Sequence, residues 1–179
     1  ANDLAYALEK IEADQRLLTY ARNQQILNEI TTTALEIPDL NSMLCLVIQK
    51  LADAFSADGY YGTLWKNDQT NSALIVNSAS LQGIFDNLVV APESHSFSQT
   101  ILDEGKVLII EDMAATAYTS RDIAIQFSGW AALGLPLIAN NQKLGTVVIG
   151  FKQGHVFTES EIELAQQAAN QIALAVAKS

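Results

Sequence analysis

Residues 3–36 contain neither glycine nor proline, and their apolar positions recur at helical spacing. Leu4, Leu8, Ile11 and Leu18 follow a heptad-like stripe. A second stripe runs from Leu17 through Tyr20, Ala21, Leu27 and Ile30, diluted by glutamine and asparagine. The spacing predicts one long helix or two nearly collinear ones. Residues 1–16 read as a helical linker that meets a partner helix, and the folded domain is expected over 17–179. Pro38 breaks this helix, and Asp39 can cap the next, over Leu40 to about Phe55. Its stripe is Leu40, Met43, Leu44, Val47, Ile48 and Leu51, with Cys45 beside it.

The period then changes from helix to strand. Tyr60–Lys66 and Ala73–Ala79 flank a polar turn, Asn67 to Asn71, and read as a hairpin. Leu81 to Ala91 fits either a short strand or a turn of helix. Ser96 with Gln99 makes a capping box for a helix that stops at Gly105. Val107–Ile110 is a short strand, and Arg121 to Phe127 a short helix. Trp130–Ile138 and Leu144–Phe151 are strands joined at Asn140-Asn141. Thr158 and Glu161 form a second capping box, with Phe157 and Ile162 in the staple positions. Ile162, Ala165, Ala169, Ile172 and Val176 follow at heptad spacing to the end of the chain.

Hairpins among helices predict an α+β fold, an antiparallel sheet with the terminal helices covering one face. Composition narrows the function. Of 179 residues 49% are hydrophobic and 17% charged, enough apolar material for one sizeable core. The net charge of −10 disfavours nucleic acid and anionic membrane as partners. No apolar run approaches the ~20 residues that span a bilayer. Cys45 is the sole cysteine, so no internal disulfide forms and a reducing cytoplasm is the expected location. The chain begins at Ala1, and its last helix carries no stop signal, as expected of a piece of a longer protein.

The stretch from Ala132 to Phe151, Leu-Gly-Leu-Pro-Leu followed by a polar turn and Leu-Gly-Thr-Val-Val-Ile-Gly, resembles the most recognisable segment of GAF domains. Phe157-Thr158, the acidic run and the Ala/Ile-rich helix continue that pattern. Upstream, Leu102 to Asp112 looks like the family's helix that ends at Gly-Lys before a strand ending in aspartate. The resemblance covers roughly Leu17 to Lys178. It implies five or six antiparallel strands, short helices over a small-molecule pocket on one face, and a sensory, non-catalytic role in a sensor kinase, response regulator or transcriptional activator. Homodimerisation is expected through the terminal helices, with Leu4, Leu8, Ile11, Ile162, Ala165, Ala169, Ile172 and Val176 as the seam. The parent's neighbouring domains are the other expected partners.

The family's known chemistries fit these residues unevenly. The cyclic-nucleotide signature is matched at Lys152 and Phe157 but not at Phe151, Glu161 or Ile162. Covalent bilin attachment needs a cysteine near Tyr118-Thr119-Ser120, where there is none, so no covalent bilin is expected. Methionine-sulfoxide reduction needs at least two cysteines. His95 and His155 have no metal-ligand spacing, so no metal is expected; His155 reads as solvated in a turn. Strand alternation separates Ala131, Leu133, Leu135 and Leu137 from Trp130, Ala132 and Gly134. The leucine face suits helices, and the small-residue face leaves space beneath an aromatic. With Phe97 and Ile101 above, Asp112 and Tyr118 beside it and His95 at the rim, these form the candidate pocket. The same aromatics could equally fill a small core. No cofactor is specified, and a relay module with a vestigial pocket is the alternative function.

Overall fold

The computed structural model describes residues 2–65, 72–91 and 93–179. Helix α1 (Asn2–Glu36) is continuous, and Asp39 caps α2 (Leu40–Ala54) by accepting from the Ser42 amide. Strands β1 (Gly59–Trp65) and β2 (Ser72–Asn77) follow, then α3 (Ala79–Asp86) and α4 (Phe97–Glu104). The chain continues through β3 (Leu108–Ile110), a 3-10 turn (Met113–Ala115), α5 (Arg121–Ala124) and a second 3-10 turn (Ile125–Phe127). Strands β4 (Ala131–Ala139) and β5 (Gln142–Phe151) and helix α6 (Glu159–Lys178) complete it. The predicted turn at Asn67–Asn71 lies outside the described residues. Leu81–Ala91, open between strand and helix, contributes to α3.

The five strands form one sheet in the order β2-β1-β5-β4-β3, every pair antiparallel. Asn140 and Asn141 both take positive φ, 51° and 59°, and turn β4 tightly into β5. Asparagine tolerates that conformation, and its handedness suits the strand twist. The sheet buries both faces. Leu133, Leu135, Leu137, Val147 and Ile149 pack with Leu44, Val47 and Ile48 of α2, Leu27 and Ile30 of α1, and Ala165, Ala168, Ala169 and Ile172 of α6. Trp130, Ala132 and Val148 point the other way and pack with Phe97, Ile101, Met113, Ile123 and Phe127. The alternation read from the sequence thus divides two cores.

Two expectations change here. α1 docks from Arg22, which donates to the Ala54 carbonyl at 3.2 Å, rather than from Leu17: every described residue before Asn23 is exposed, Leu17, Leu18 and Tyr20 included. Its docked part is tied down by Asn23 to Ser160 and Thr31 to Gln171. The second concerns the α6 half of the dimer seam. Ala165, Ala169 and Ile172 are fully buried against the chain's own sheet, and Ile162 and Val176 are partly buried. Small residues at that spacing let the helix approach the strands closely, so they cannot also meet a second chain.

The capping box of α6 is made in full. Thr158 Oγ1 accepts from the Glu161 amide at 3.2 Å, and Glu161 Oε2 accepts from the Thr158 amide at 2.8 Å. Thr158→Ala is expected to cost about 1 kcal/mol in urea unfolding. An unchanged midpoint would show that the cap is not needed. His155, read as solvated, instead stacks on Phe151 with ring centroids 4.0 Å apart and bonds Glu161 at 3.1 Å. At the start of α4 only half of the expected box forms. Ser96 accepts from the Gln99 amide, while the Gln99 side chain donates to Asp103.

Candidate functional site

On the sheet face away from α6, the residues leave a cavity of about 250 Å³. Tyr61 and Thr63 of β1, Ala132 of β4, and Val148 and Gly150 of β5 make its floor. Leu81 and Phe85 of α3, Ser96, Phe97 and Ser98 at the start of α4, and Met113, Ile123 and Phe127 close its sides. Trp130 stands at the entry to β4 and lines it too. Tyr61, Phe85 and Phe127 form an edge-to-face series, with centroids 5.2 and 6.1 Å apart. Such pairs are favourable beyond the area they bury.

The wall is apolar apart from a few hydroxyls. The Ser98 Oγ donates to the Tyr61 hydroxyl at 3.3 Å. Burial pushes the Tyr61 phenol up to about 12, against a small opposite effect from the Ser98 hydrogen bond, so it stays protonated in neutral solution. Thr63 and Thr146 share a buried hydroxyl pair at 2.8 Å. Among the described residues, no carboxylate, imidazole, thiol, ammonium or guanidinium lines the cavity. Among the described residues no cluster of three or more His, Cys, Asp or Glu could hold a metal ion.

Of the residues expected in the pocket, the structure brings Phe97, Trp130 and Ala132 together around the cavity. The others lie outside the lining. Gly134 is occupied from above: a Cβ there would stand 2.5 Å from Ile101 Cδ1 and 2.8 Å from Phe97 Cζ. The small residue serves close approach of α4 to the sheet, and Ile101 is buried in that contact. Asp112 is exposed and caps the 3-10 turn by accepting from the Ala114 amide. His95 and Tyr118 are exposed and act through their backbones, His95 O accepting from Thr119 Oγ1 and Tyr118 O from Thr100 Oγ1. Tyr61 and Ser98 were not singled out from the sequence. The alternation of β1 places Tyr61 and Thr63 on one face, but only the pairing of β1 with β5 decides which face meets the cavity.

A strap after α3 borders the cavity through Leu88 and Val90. Two side chains pin it. Gln126 accepts from the Val89 amide and donates to the Val89 carbonyl, at 3.2 and 3.0 Å. Asp122 accepts from the Ala91 amide and from the Ser94 hydroxyl. These bonds, the Ser94 hydroxyl first, hold the Asp122 carboxyl below its ordinary value of 3.8. A depressed carboxylate stabilises the fold at pH values above its unfolded pKa, and that contribution fades as pH falls through the folded one. The Ala91 amide resonance is therefore expected to hold steady down to about pH 5 and to titrate below 3.8, and Asp122→Asn should abolish the titration. A midpoint above 3.8 would contradict the pinning.

Comparison with known proteins agrees with this geometry. Residues 23–177 match the GAF domain family, and the match begins at Asn23, where α1 docks on α6. No curated protein sequence matches the chain. Among solved structures, the GAF domain of a phosphoenolpyruvate-protein phosphotransferase from Coxiella burnetii superposes with a TM-score of 0.72 at 20% identity, over 88% of this chain and 94% of that one. The GAF domain of a putative sensor histidine kinase from Pseudomonas syringae pv. tomato gives 0.67 at 15% identity, over 93% and 92%. The free methionine-R-sulfoxide reductase of Neisseria meningitidis, in complex with its substrate, gives 0.67 at 12%, over 87% and 88%. These likenesses establish a shared fold, and with the sequence match they lead to one statement: the chain belongs to the GAF domain family.

Proposed function

We propose that the chain is a non-catalytic sensory domain of a larger signal-transduction protein, a sensor kinase or response regulator, in which a small ligand in the cavity biases the terminal helices. One observation carries this reading: the same two strands serve both faces. β4 and β5 offer Ala132, Val148 and Gly150 to the cavity and Leu133, Val147 and Ile149 to the α2 and α6 core. A ligand that presses on the first set loads the strands on which α6 rests. Packed layers transmit such shifts because they have little free volume. The effect on the helices is bounded by the ligand's differential affinity for the two states, typically ~1–3 kcal/mol.

A binding role fits the wall better than catalysis. Its hydroxyls are poor acids and bases near neutral pH, and among the described residues no nucleophile and base converge there. A reductase working through a disulfide would need a second cysteine within the chain, and Cys45 is its sole cysteine, on α2 across the sheet. No described helix is long and apolar enough to cross a membrane. With an acidic chain and a single thiol, we place the domain in the cytoplasm, away from nucleic acid and anionic membranes. A thermal-shift screen of small metabolites tests the reading. At least one compound is expected to raise Tm in a concentration-dependent way; a broad screen with no such compound would contradict it.

A second reading is favoured by α1. Leu4, Leu8, Ile11 and Leu18 are 52–72% exposed along a helix that projects roughly 30 Å beyond the docked part. That stripe suits a parallel helix from a second copy, and the module would then relay signals as a dimer even with an empty pocket. Sedimentation is expected to show a dimer that Leu8→Glu turns into a monomer. A monomeric wild type at high micromolar concentration would contradict this.

A further inference from the structure

We infer that the cavity selects an uncharged, largely aromatic molecule of about two fused rings carrying one hydrogen-bond acceptor, and that the Tyr61–Ser98 hydroxyl pair recognises that acceptor. The inference rests on the cavity being a ligand site, as proposed above, and assigns the class of ligand.

Size comes first. An apolar cavity of about 150 Å³ holds benzene. A volume of about 250 Å³ therefore suits a fused bicycle held within the walls. Shape comes next. Trp130, Phe97, Phe85 and Phe127 surround the space, and aromatic walls favour a flat ring by offset and edge contacts.

Charge is decided by what the wall lacks. An anion entering it would lose its hydration and meet no cationic group among the described lining residues. Lys152, whose ammonium lies 5.7 Å from the Trp130 ring centroid, is not part of the wall. A cation would find no carboxylate among the described lining residues, and the Trp130 ring that could attract it already faces the Lys152 ammonium.

Polarity is set by hydrogen-bond arithmetic. Ser98 and Tyr61 each carry one O–H hydrogen, and they share one bond. Whichever group donates, one hydrogen remains without an acceptor among the described residues. With Ser98 Oγ donating, the spare hydrogen is the Tyr61 O–H, and burial of that phenol makes it costly to leave unmatched. At 3.3 Å the bond is also long for two hydroxyls, and a carbonyl or ether oxygen could take the free hydrogen with little loss. The phenol stays protonated well above neutral pH, so the donor persists. The start of α4 lines the same corner, and its dipole favours the negative end of a ligand dipole.

Three probes of matched shape test this by NMR titration of the full chain: 1-indanone, indane and indane-1-carboxylate at neutral pH. The ketone is expected to bind tightest, the hydrocarbon more weakly and the anion at least roughly tenfold more weakly than the ketone. Tyr61→Phe should weaken 1-indanone roughly fivefold while leaving indane within about twofold. Ser98→Ala should act in the same direction, which guards against a folding defect in either variant. Equal losses for ketone and hydrocarbon, or an anion that binds as tightly as the ketone, would overturn the class assignment while leaving the cavity a ligand site. If none of the three binds the wild type, the class assignment falls. If in addition no compound in the metabolite screen binds, the ligand-site reading falls with it.

Discussion

Leu135→Ala is expected to lower the unfolding free energy by about 3–4 kcal/mol, a large part of the ~5–15 kcal/mol that holds a domain of this kind together. Leu135 has no exposed surface and lies mid-strand in β4, opposite Val147 of β5 and within the core shared with α2 and α6. Truncation removes apolar burial and leaves a cavity that β4, held by ladders to β5 and β3, cannot collapse to fill. Urea unfolding at an unchanged m value measures it. A loss below about 1 kcal/mol would mean that this core is loosely packed.

Gly145→Ala is expected to be as damaging, by overpacking. A Cβ at Gly145 would fall on the carbonyl oxygen of Thr63 and within 3.2 Å of the Leu64 Cα. Both belong to the backbone of β1, which cannot rotate aside as a side chain can. The strands must separate, at about 3 kcal/mol or more. Because β1 carries Tyr61 and Thr63, ligand affinity should fall with stability. Gly83 offers the control. It lies within α3 with nothing inside 4 Å of its added Cβ, and Gly83→Ala should be neutral or stabilising by up to ~1 kcal/mol. Similar effects at both positions would contradict the packing described for β1 and β5.

The elements most legible in the sequence were those whose determinants are local. The α6 cap needs only Thr158 and Glu161, three positions apart, and the β4–β5 turn needs only Asn140 and Asn141. The division of Leu133 and Leu135 from Trp130 and Ala132 follows from strand period alone. Features that depend on distant pairing were not legible. Gly134 read as open space, yet Ile101 and Phe97 of α4 fill it, and side-chain contact between helix and sheet leaves no mark at position 134. The small residues of α6 read as a seam for another chain because heptad spacing does not say which surface it faces; their own sheet takes them. The Tyr61–Ser98 pair joins positions 37 residues apart in sequence, and Ser98 there looks like any polar residue in a first helical turn.

These placements give the signalling proposal its physical content. The cavity and α6 share β4 and β5, and α1 docks on α6 from Asn23 onward. A ligand that reshapes the wall at Ala132 and Val148 would alter the surface on which α6 lies and, through α6, the direction in which the free part of α1 leaves the domain. Spin labels at Lys10 and Lys178, in a Cys45→Ser background, read that geometry most directly. Saturation with 1-indanone, or with a tighter ligand from the screen, is expected to shift the measured distance distribution between them, and Tyr61→Phe should require more 1-indanone for the same shift. An identical distribution with and without a ligand shown to fill the cavity would contradict the account.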